Sequence, residues 1–212
     1  MLDNLKKAVW KNCLELPKNH LVVMTSGTVS ERDKESGLVA VKPSGVDYEI
    51  LQPDDMVIMN LEGEILEGKM KPSSDVKTHL YIYSHRDDIH GITHTHSPYA
   101  SIFAVLGEPI PCCLTASAML GGEIPLGGLA LVGGEEIGKE ILTKIGEKKA
   151  IVMLNHGVYT IGKDSNESTK FAVEVEEIAK IVHFALSRGK PVPLTDEGLK
   201  TTMDIYNNSY GQ

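Results

Sequence analysis

Short β-branched segments alternate with longer helical patterns along nearly the whole chain, and this alternation limits the folds open to it. Segments of the strand type lie between residues 21 and 60, at 91–96 and at 150–157, broken by Gly, Pro and Asp. The longest helical pattern covers 165–188, with one apolar stripe. Because no repeat or linker interrupts the pattern, it predicts one layered α/β domain over residues 1–212.

The remaining helices are predicted from amphipathic spacing and from capping residues. They lie at 1–18, from 72–75 through 86, at 97–107, at 135–149 and, as a short helix, in the tail from 197.

Composition excludes several classes of partner. The net charge is −8 and no long basic run occurs, so nucleic acid is not an expected partner. A small anionic ligand must then be met by local donors. No apolar stretch reaches the roughly 18 to 20 residues that span a membrane. Three cysteines, Cys13, Cys112 and Cys113, form no disulfide framework or CxxC pair, which favours a reducing cytoplasm.

Two histidines stand two residues apart on a predicted strand. His94 and His96 therefore point to the same face, about 6.6 Å apart along the strand, where two imidazoles can converge on one ion. His156 closes a short apolar strand and precedes Gly157. Three imidazoles would leave one tetrahedral position open, as in catalytic zinc sites. Ordinary surface histidines would give the same spacing, and sequence alone does not place His156 beside the pair.

Three short motifs are rich in small hydroxyls and glycine. They are TSGTVS at 25–30, KPSGV at 42–46 and PSSD at 72–75. Tight turns of this composition offer backbone N–H groups and hydroxyls to phosphate oxygens, and Lys42 adds a charge. Ordinary turns use the same residues.

Taken in order, TSGTVS, KPSGV, PSSD, HTHS, NHG and a terminal YGQ resemble the class II aldolase/adducin-type family from about residue 20 to the last residue. The resemblance implies an αβα-layered domain with a central, mainly antiparallel sheet. It also implies a homotetramer with active sites between subunits and a sugar phosphate as substrate. One Zn²⁺ per subunit would be held by His94, His96 and His156, although cobalt or manganese would also suit three imidazoles and an acid.

The same resemblance assigns the other site residues. Asp75 falls on the acidic residue beside the metal and would act as the base, while Tyr210 falls on a tyrosine that reaches a neighbouring subunit's site. Phosphate-binding positions fall on Thr28, Lys42, Ser44, Gly45, Ser73 and Ser74. Thr28 departs from the family, which usually has Asn there.

The family contains aldolases and epimerases that share chemistry at a metal-bound oxygen. Asp75, the KPSG motif and the final YGQ resemble the L-ribulose-5-phosphate 4-epimerases. However, Ala118 and Leu199 align with the positions where those enzymes carry an Asp and a His for proton transfer. The aldolases in turn carry a tyrosine that aligns near Thr115, so this chain lacks that residue as well. Because epimerisation needs proton donors on both faces of the aldehyde, the sequence favours a metal-dependent lyase. It would cleave a ketose 1-phosphate, first of all L-fuculose 1-phosphate, with the epimerase as the alternative.

Overall fold

The computed structural model describes residues 2–208, and a single mixed sheet runs through the middle of this part. Its strands follow the order β4-β3-β2-β1-β5-β8-β7-β6, and every neighbouring pair is antiparallel except β6 with β7. The strands are β1 (Thr28–Arg32), β2 (Val39–Val41), β3 (Val57–Met59), β4 (Ile65–Glu67), β5 (Gly91–Thr95), β6 (Leu126–Gly127), β7 (Ala150–Met153) and β8 (Val158–Gly162).

Helices cover both faces of this sheet. They are α1 (Leu2–Lys18), α2 (Val76–His85), α3 (Pro98–Leu106), α4 (Glu136–Lys144), α5 (Ser165–Arg188) and α6 (Asp196–Asn208). Helices α2 and α4 pack on one face, while α1, α3 and α5 pack on the other. Side chains alternate between the two cores with the period of two that a strand requires: Ile151 and Met153 face α2 and α4, and Val152 faces α5. The predicted αβα layering and mainly antiparallel sheet are confirmed.

The adjacent strands β5 and β8, near the middle of the sheet, are buried along their whole length. Five cross-strand pairs join them, from Gly91 with Gly162 to Thr95 with Val158. Strand β5 lies in the middle of the sheet, so its carboxyl end, where the HTH motif stands, is fixed by β1 on one side and β8 on the other. Rigid strands of this kind hold side chains more precisely than loops do.

Most predicted elements agree with the structure, and the differences are local. The strand expected within 21–30 begins only at Thr28, because 21–27 form turns in which Met24 takes a left-handed backbone. The segment 150–157 is a strand only as far as Met153, so His156 lies in the turn after it. Within residues 2–208 no helix is both long enough and apolar enough to cross a membrane.

Candidate metal centre and anion-binding cleft

Three imidazoles meet at the carboxyl end of β5. His94 lies on that strand, His96 follows it directly, and His156 comes from the turn between β7 and β8. The possible ligand nitrogens of the three residues all lie within 4.8 Å of one another. The structure thus brings together the three histidines that the sequence could only propose as a set.

Two backbone features carry His156 to this place. Asn155 adopts a left-handed conformation with φ of 55°, which Asn tolerates better than most residues, and the turn closes through the Met153 amide donating to the Gly157 carbonyl. A Cβ atom on Gly157 would stand 2.4 Å from the Thr95 carbonyl oxygen and 2.9 Å from His96 Cδ2. Only glycine therefore lets the turn approach the end of β5 this closely.

The protonation of His94 can be worked out from its contacts. Its Nδ1 lies 2.9 Å from the Val158 carbonyl oxygen, which can only accept, so Nδ1 carries the proton and Nε2 presents a lone pair. Burial lowers the pKa of His94 to about 3, and burial is also the main cause that lowers the pKa of His96 and of His156. All three rings are neutral at pH 7, which is the form that binds metal ions.

This donor set fits a tetrahedral metal ion. Nε2 of His94 lies 3.0 Å from Nε2 of His96, so two nitrogens face each other closely. Donors about 2.05 Å from a tetrahedral zinc are roughly 3.3 Å apart, near the spacing seen here. Because Nε2 of His94 presents a lone pair, a cation between the two nitrogens could be bound by both rings once Nε2 of His96 is unprotonated.

Asp75 is the acidic residue of the site. It stands at the position that caps α2, yet its side chain makes no capping bond. Instead its Oδ2 accepts hydrogen bonds from Thr28 (3.3 Å) and Ser73 (3.4 Å). Burial by itself would raise the pKa of Asp75, but nearby imidazoles, led by His94, and the Thr28 hydroxyl lower it below its usual value. The carboxylate is therefore ionised at neutral pH and able to accept a proton.

A cleft of about 310 Å³ opens beside the imidazoles and Asp75. The three turns predicted to bind phosphate meet in its wall, because a bridge joins Pro43 to Pro72 and the Ser73 amide donates to the Lys42 carbonyl (3.1 Å). Besides the three histidines and Asp75, the lining residues are Thr25, Ser26, Gly27, Lys42, Pro43, Ser44, Gly45, Ser73, Ser74 and Val132.

Lys42 is more enclosed than a simple phosphate ligand would be. The residue is only 1% exposed, and its ammonium donates to the Thr25 carbonyl (3.0 Å) and lies 4.7 Å from the centre of the Tyr48 ring. The Tyr48 hydroxyl in turn donates to the Ser26 carbonyl (2.6 Å). Burial lowers the pKa of Lys42. The lysine therefore fixes the 25–27 turn from the cleft wall.

Thr28 differs from the expectation of a phosphate ligand. Its side chain is fully buried, does not line the cleft and is directed at Ser73 and Asp75. Sequence reasoning missed Val132, which enters the cleft wall from a glycine-rich loop and carries no recognisable signal. Thr25 and Ser26 of the TSGTVS motif line the cleft, but the residue of this motif that was predicted to bind phosphate is Thr28.

The remaining predicted residues lie elsewhere. Thr115 and Ala118 belong to a 3-10 segment, 115–120, which packs against α5 and α6, and Leu199 of α6 lies against Gly122. None of these three lines the cleft of its own chain. Tyr210 lies outside the described residues.

Comparisons with known proteins agree with this geometry. A model of the family described as "Class II Aldolase and Adducin N-terminal domain" matches residues 7–183. The chain therefore belongs to the class II aldolase and adducin family, as the order of its motifs predicted.

Individual relatives carry both activities in their names. L-ribulose-5-phosphate 4-epimerase UlaF of Salmonella paratyphi B is 38% identical over 196 residues, covering 87% of this chain and 86% of that protein. A solved L-fuculose 1-phosphate aldolase superposes with a TM-score of 0.92 at 31% identity, covering 96% of each chain. The L-fuculose-1-phosphate aldolase of Thermus thermophilus (TM-score 0.75, 23% identity, 89% of this chain and 98% of that one) shows the fold alone.

Proposed function

We propose that this protein is a metal-dependent enzyme that breaks and rejoins a carbon–carbon bond of a phosphorylated ketose, and that its reaction is the 4-epimerisation of L-ribulose 5-phosphate. The observation that carries the general chemistry is the meeting of three neutral imidazoles and an ionised Asp75 at the edge of a cleft lined with hydroxyls. The 38% identity to an epimerase favours this reaction over the aldol cleavage that the sequence alone favoured.

Each part of the site has a task in this proposal. Ser44, Gly45 and Ser74 are exposed in the cleft wall and supply hydroxyl and amide donors for the phosphate. Buried Ser73 and Thr28 hold Asp75 in position, as their hydrogen bonds indicate. His94, His96 and His156 would hold the ion, which we take to be Zn²⁺. When bound, that ion would supply Lewis acidity, stabilising negative charge on the ketose oxygen. Asp75 would take up the proton of the hydroxyl group beside the breaking carbon–carbon bond, and return it to that oxygen when the bond reforms.

Aldol cleavage of a ketose 1-phosphate, first L-fuculose 1-phosphate, is the second candidate. It is favoured by apolar Ala118 and Leu199, which give no proton donor where the epimerases are expected to carry one. The solved L-fuculose 1-phosphate aldolase, with its TM-score of 0.92, also supports it. Both candidates begin with the same bond cleavage, and they differ in whether the aldehyde leaves or is rejoined on its other face.

The proposal includes a homotetramer with active sites between subunits, in which Tyr210 reaches a neighbour's site. Exposed apolar side chains are consistent with an interface near the cleft: Val132, in the cleft wall, is 64% exposed, and Met24, next to Thr25 in the chain, is 84% exposed. Deleting residues 209–212 should reduce turnover while zinc content stays intact, and full activity of the truncated enzyme would remove Tyr210 from the proposal. The three free cysteines fit a cytoplasmic location.

Direct assay of both reactions tests the proposal. The zinc-loaded and the chelated enzyme are offered L-ribulose 5-phosphate and L-fuculose 1-phosphate, and xylulose 5-phosphate and dihydroxyacetone phosphate are measured. Chelator-sensitive formation of xylulose 5-phosphate is the expected result. Release of dihydroxyacetone phosphate instead would replace the epimerase by the aldolase, and turnover of neither would overturn both. The variant His94→Ala should be inactive, whereas His85→Ala, at the exposed end of α2, should match the wild type.

A further inference from the structure

Tyr159 is buried directly beneath the metal centre. It lies on β8 and pairs with His94 across the antiparallel ladder, and it is 0% exposed. The two rings stack, with centroids 4.1 Å apart and planes inclined by 16°. Together with the Nδ1 bond to Val158, this stack leaves the His94 ring a single orientation.

The Tyr159 hydroxyl makes no hydrogen bond of ordinary geometry within residues 2–208, but the side chains of Thr78 and Asp75 lie close enough to act on its pKa as hydrogen-bond partners. Two more buried polar atoms on the neighbouring helix α2 share this state, Oγ1 of Thr78 and Nε2 of His79. Asp75 is the N-cap residue of α2, and its charge acts on both Tyr159 and His79. A buried donor without a partner is costly, on the order of a lost hydrogen bond, so this hydroxyl requires an acceptor within reach.

Asp75 is the acceptor that fits. Its Oδ2 accepts the bonds from Thr28 and Ser73, while no hydrogen bond to its Oδ1 is seen among the described residues. Burial, and next the charge of Asp75, raise the pKa of Tyr159 well above its usual value. The phenol is therefore protonated at neutral pH, and its O–H can donate to a carboxylate.

We propose that Tyr159 is a positioning residue that links the metal centre to the base: its ring sets the orientation of His94, and its hydroxyl donates to the Asp75 carboxylate, directly or through one buried water. The proposal rests on the proposed function for its effect on turnover, but its two contacts exist independently of any substrate. Loss of the ring stack on His94 should weaken metal binding, whereas loss of the hydroxyl bond to Asp75 should lower kcat. The two roles of Tyr159 can therefore be tested separately.

The first test separates the ring from the hydroxyl. Tyr159→Phe keeps the stack and should bind zinc within about twofold of the wild type, whereas Tyr159→Leu should lose roughly tenfold or more, as for other residues that orient metal ligands. Tyr83→Phe is the matched control, because this equally buried tyrosine bonds Ser30 and does not touch His94. Wild-type zinc affinity in Tyr159→Leu would overturn the role of the ring.

The second test addresses the hydroxyl. On the sugar phosphate that the enzyme turns over, Tyr159→Phe should lower kcat by roughly tenfold with KM within about twofold, since one hydrogen bond to a charged group is lost. In an Asp75→Asn background the same change should lower kcat no further. Wild-type kcat in Tyr159→Phe, or an equal loss in both backgrounds, would refute the link to Asp75.

A thermodynamic cycle keeps the proposal testable if neither sugar phosphate is turned over. Unfolding of metal-free wild type, Tyr159→Phe, Asp75→Asn and the double variant gives the coupling of the two residues without any catalysis. We expect a coupling of at least about fivefold in the unfolding equilibrium constant. Additive effects in this cycle would overturn the hydroxyl's role, whereas absent turnover together with clear coupling would fault only the proposed function.

Discussion

Replacing Gly157 by alanine should damage the metal centre without removing a ligand. The added Cβ would stand 2.4 Å from the Thr95 carbonyl oxygen, about 1 Å short of the roughly 3.3 Å at which carbon and oxygen ordinarily touch. It would also stand 3.3 Å from Cε1 of His94. Neither neighbour can move aside cheaply. The Thr95 carbonyl belongs to the backbone of β5, and the His94 ring is held by Tyr159 and by the Val158 carbonyl.

The expected size of the effect follows from that overlap. Forced separation of packed elements costs typically about 1 to 3 kcal/mol, which for a domain of this length lowers the melting temperature by roughly 3 to 10 °C. Metal ligands must lie within about 0.2 Å of their ideal distances, so a shift near 1 Å should weaken zinc binding by more than tenfold. Turnover at limiting zinc should fall in parallel.

Thermal unfolding of the metal-free protein and zinc titration together check this prediction. The matched control is Gly189→Ala, because Gly189 has an extended backbone and no atom within 4 Å of an added Cβ. The control should bind zinc like the wild type. If Gly157→Ala also keeps wild-type zinc affinity and melting temperature, the close approach at Gly157 does not position His156 as argued.

Three further predictions concern metal, protons and the anion cleft. Chelation should lower the melting temperature, and zinc at about 100 times its Kd should restore roughly 2.7 kcal/mol; an unchanged melting curve would deny a bound metal. Burial lowers the pKa of His79 from 6.5 to about 4, so the folded state disfavours its protonation and stability should fall as pH drops from about 6.5 to 4, by roughly 3 kcal/mol at most. His79→Gln should reduce the pH dependence of the free energy of unfolding, measured by denaturant titration, by the uptake of about one proton. An unchanged pH dependence would contradict the role of His79. Tyr48→Phe frees the 25–27 turn and should raise KM by roughly five- to tenfold with kcat nearly unchanged, because one hydrogen bond of about 1 kcal/mol is lost; a fall in kcat alone would argue against this role.

The sequence predicted the long elements well because their signals are local. Helix α5 was predicted at 165–188, and it begins after Asp164, whose side chain accepts from the Glu167 amide, and ends before Gly189. Strand β4 is short and fully exposed, and β6 has only two residues, so neither carries a hydrophobic pattern. Strand β8 begins directly after the NHG turn, and no separate signal in the sequence distinguished it from the apolar run before that turn.

The site was predicted unevenly, for physical reasons. Spacing on one strand placed His94 and His96 together, but only the β5–β8 pairing brings in His156. Thr28 has the right chemistry for a phosphate, yet its side chain is buried away from the cleft, whereas Lys42 lines the cleft with its ammonium held by the Thr25 carbonyl. Burial of this kind depends on tertiary packing that no motif contains. The role proposed for Tyr159 rests on its position opposite His94, which the sequence did not reveal.

The central claim is a metal centre built by three histidines from two separate parts of the chain. Titration of the metal-free protein with zinc, followed by calorimetry, tests it most directly. We predict one zinc per chain for the wild type and for His85→Ala, and loss of tight binding in His156→Ala as well as in His94→Ala. Tight binding of one zinc by His156→Ala would show that the turn after β7 holds no ligand, and would contradict the account.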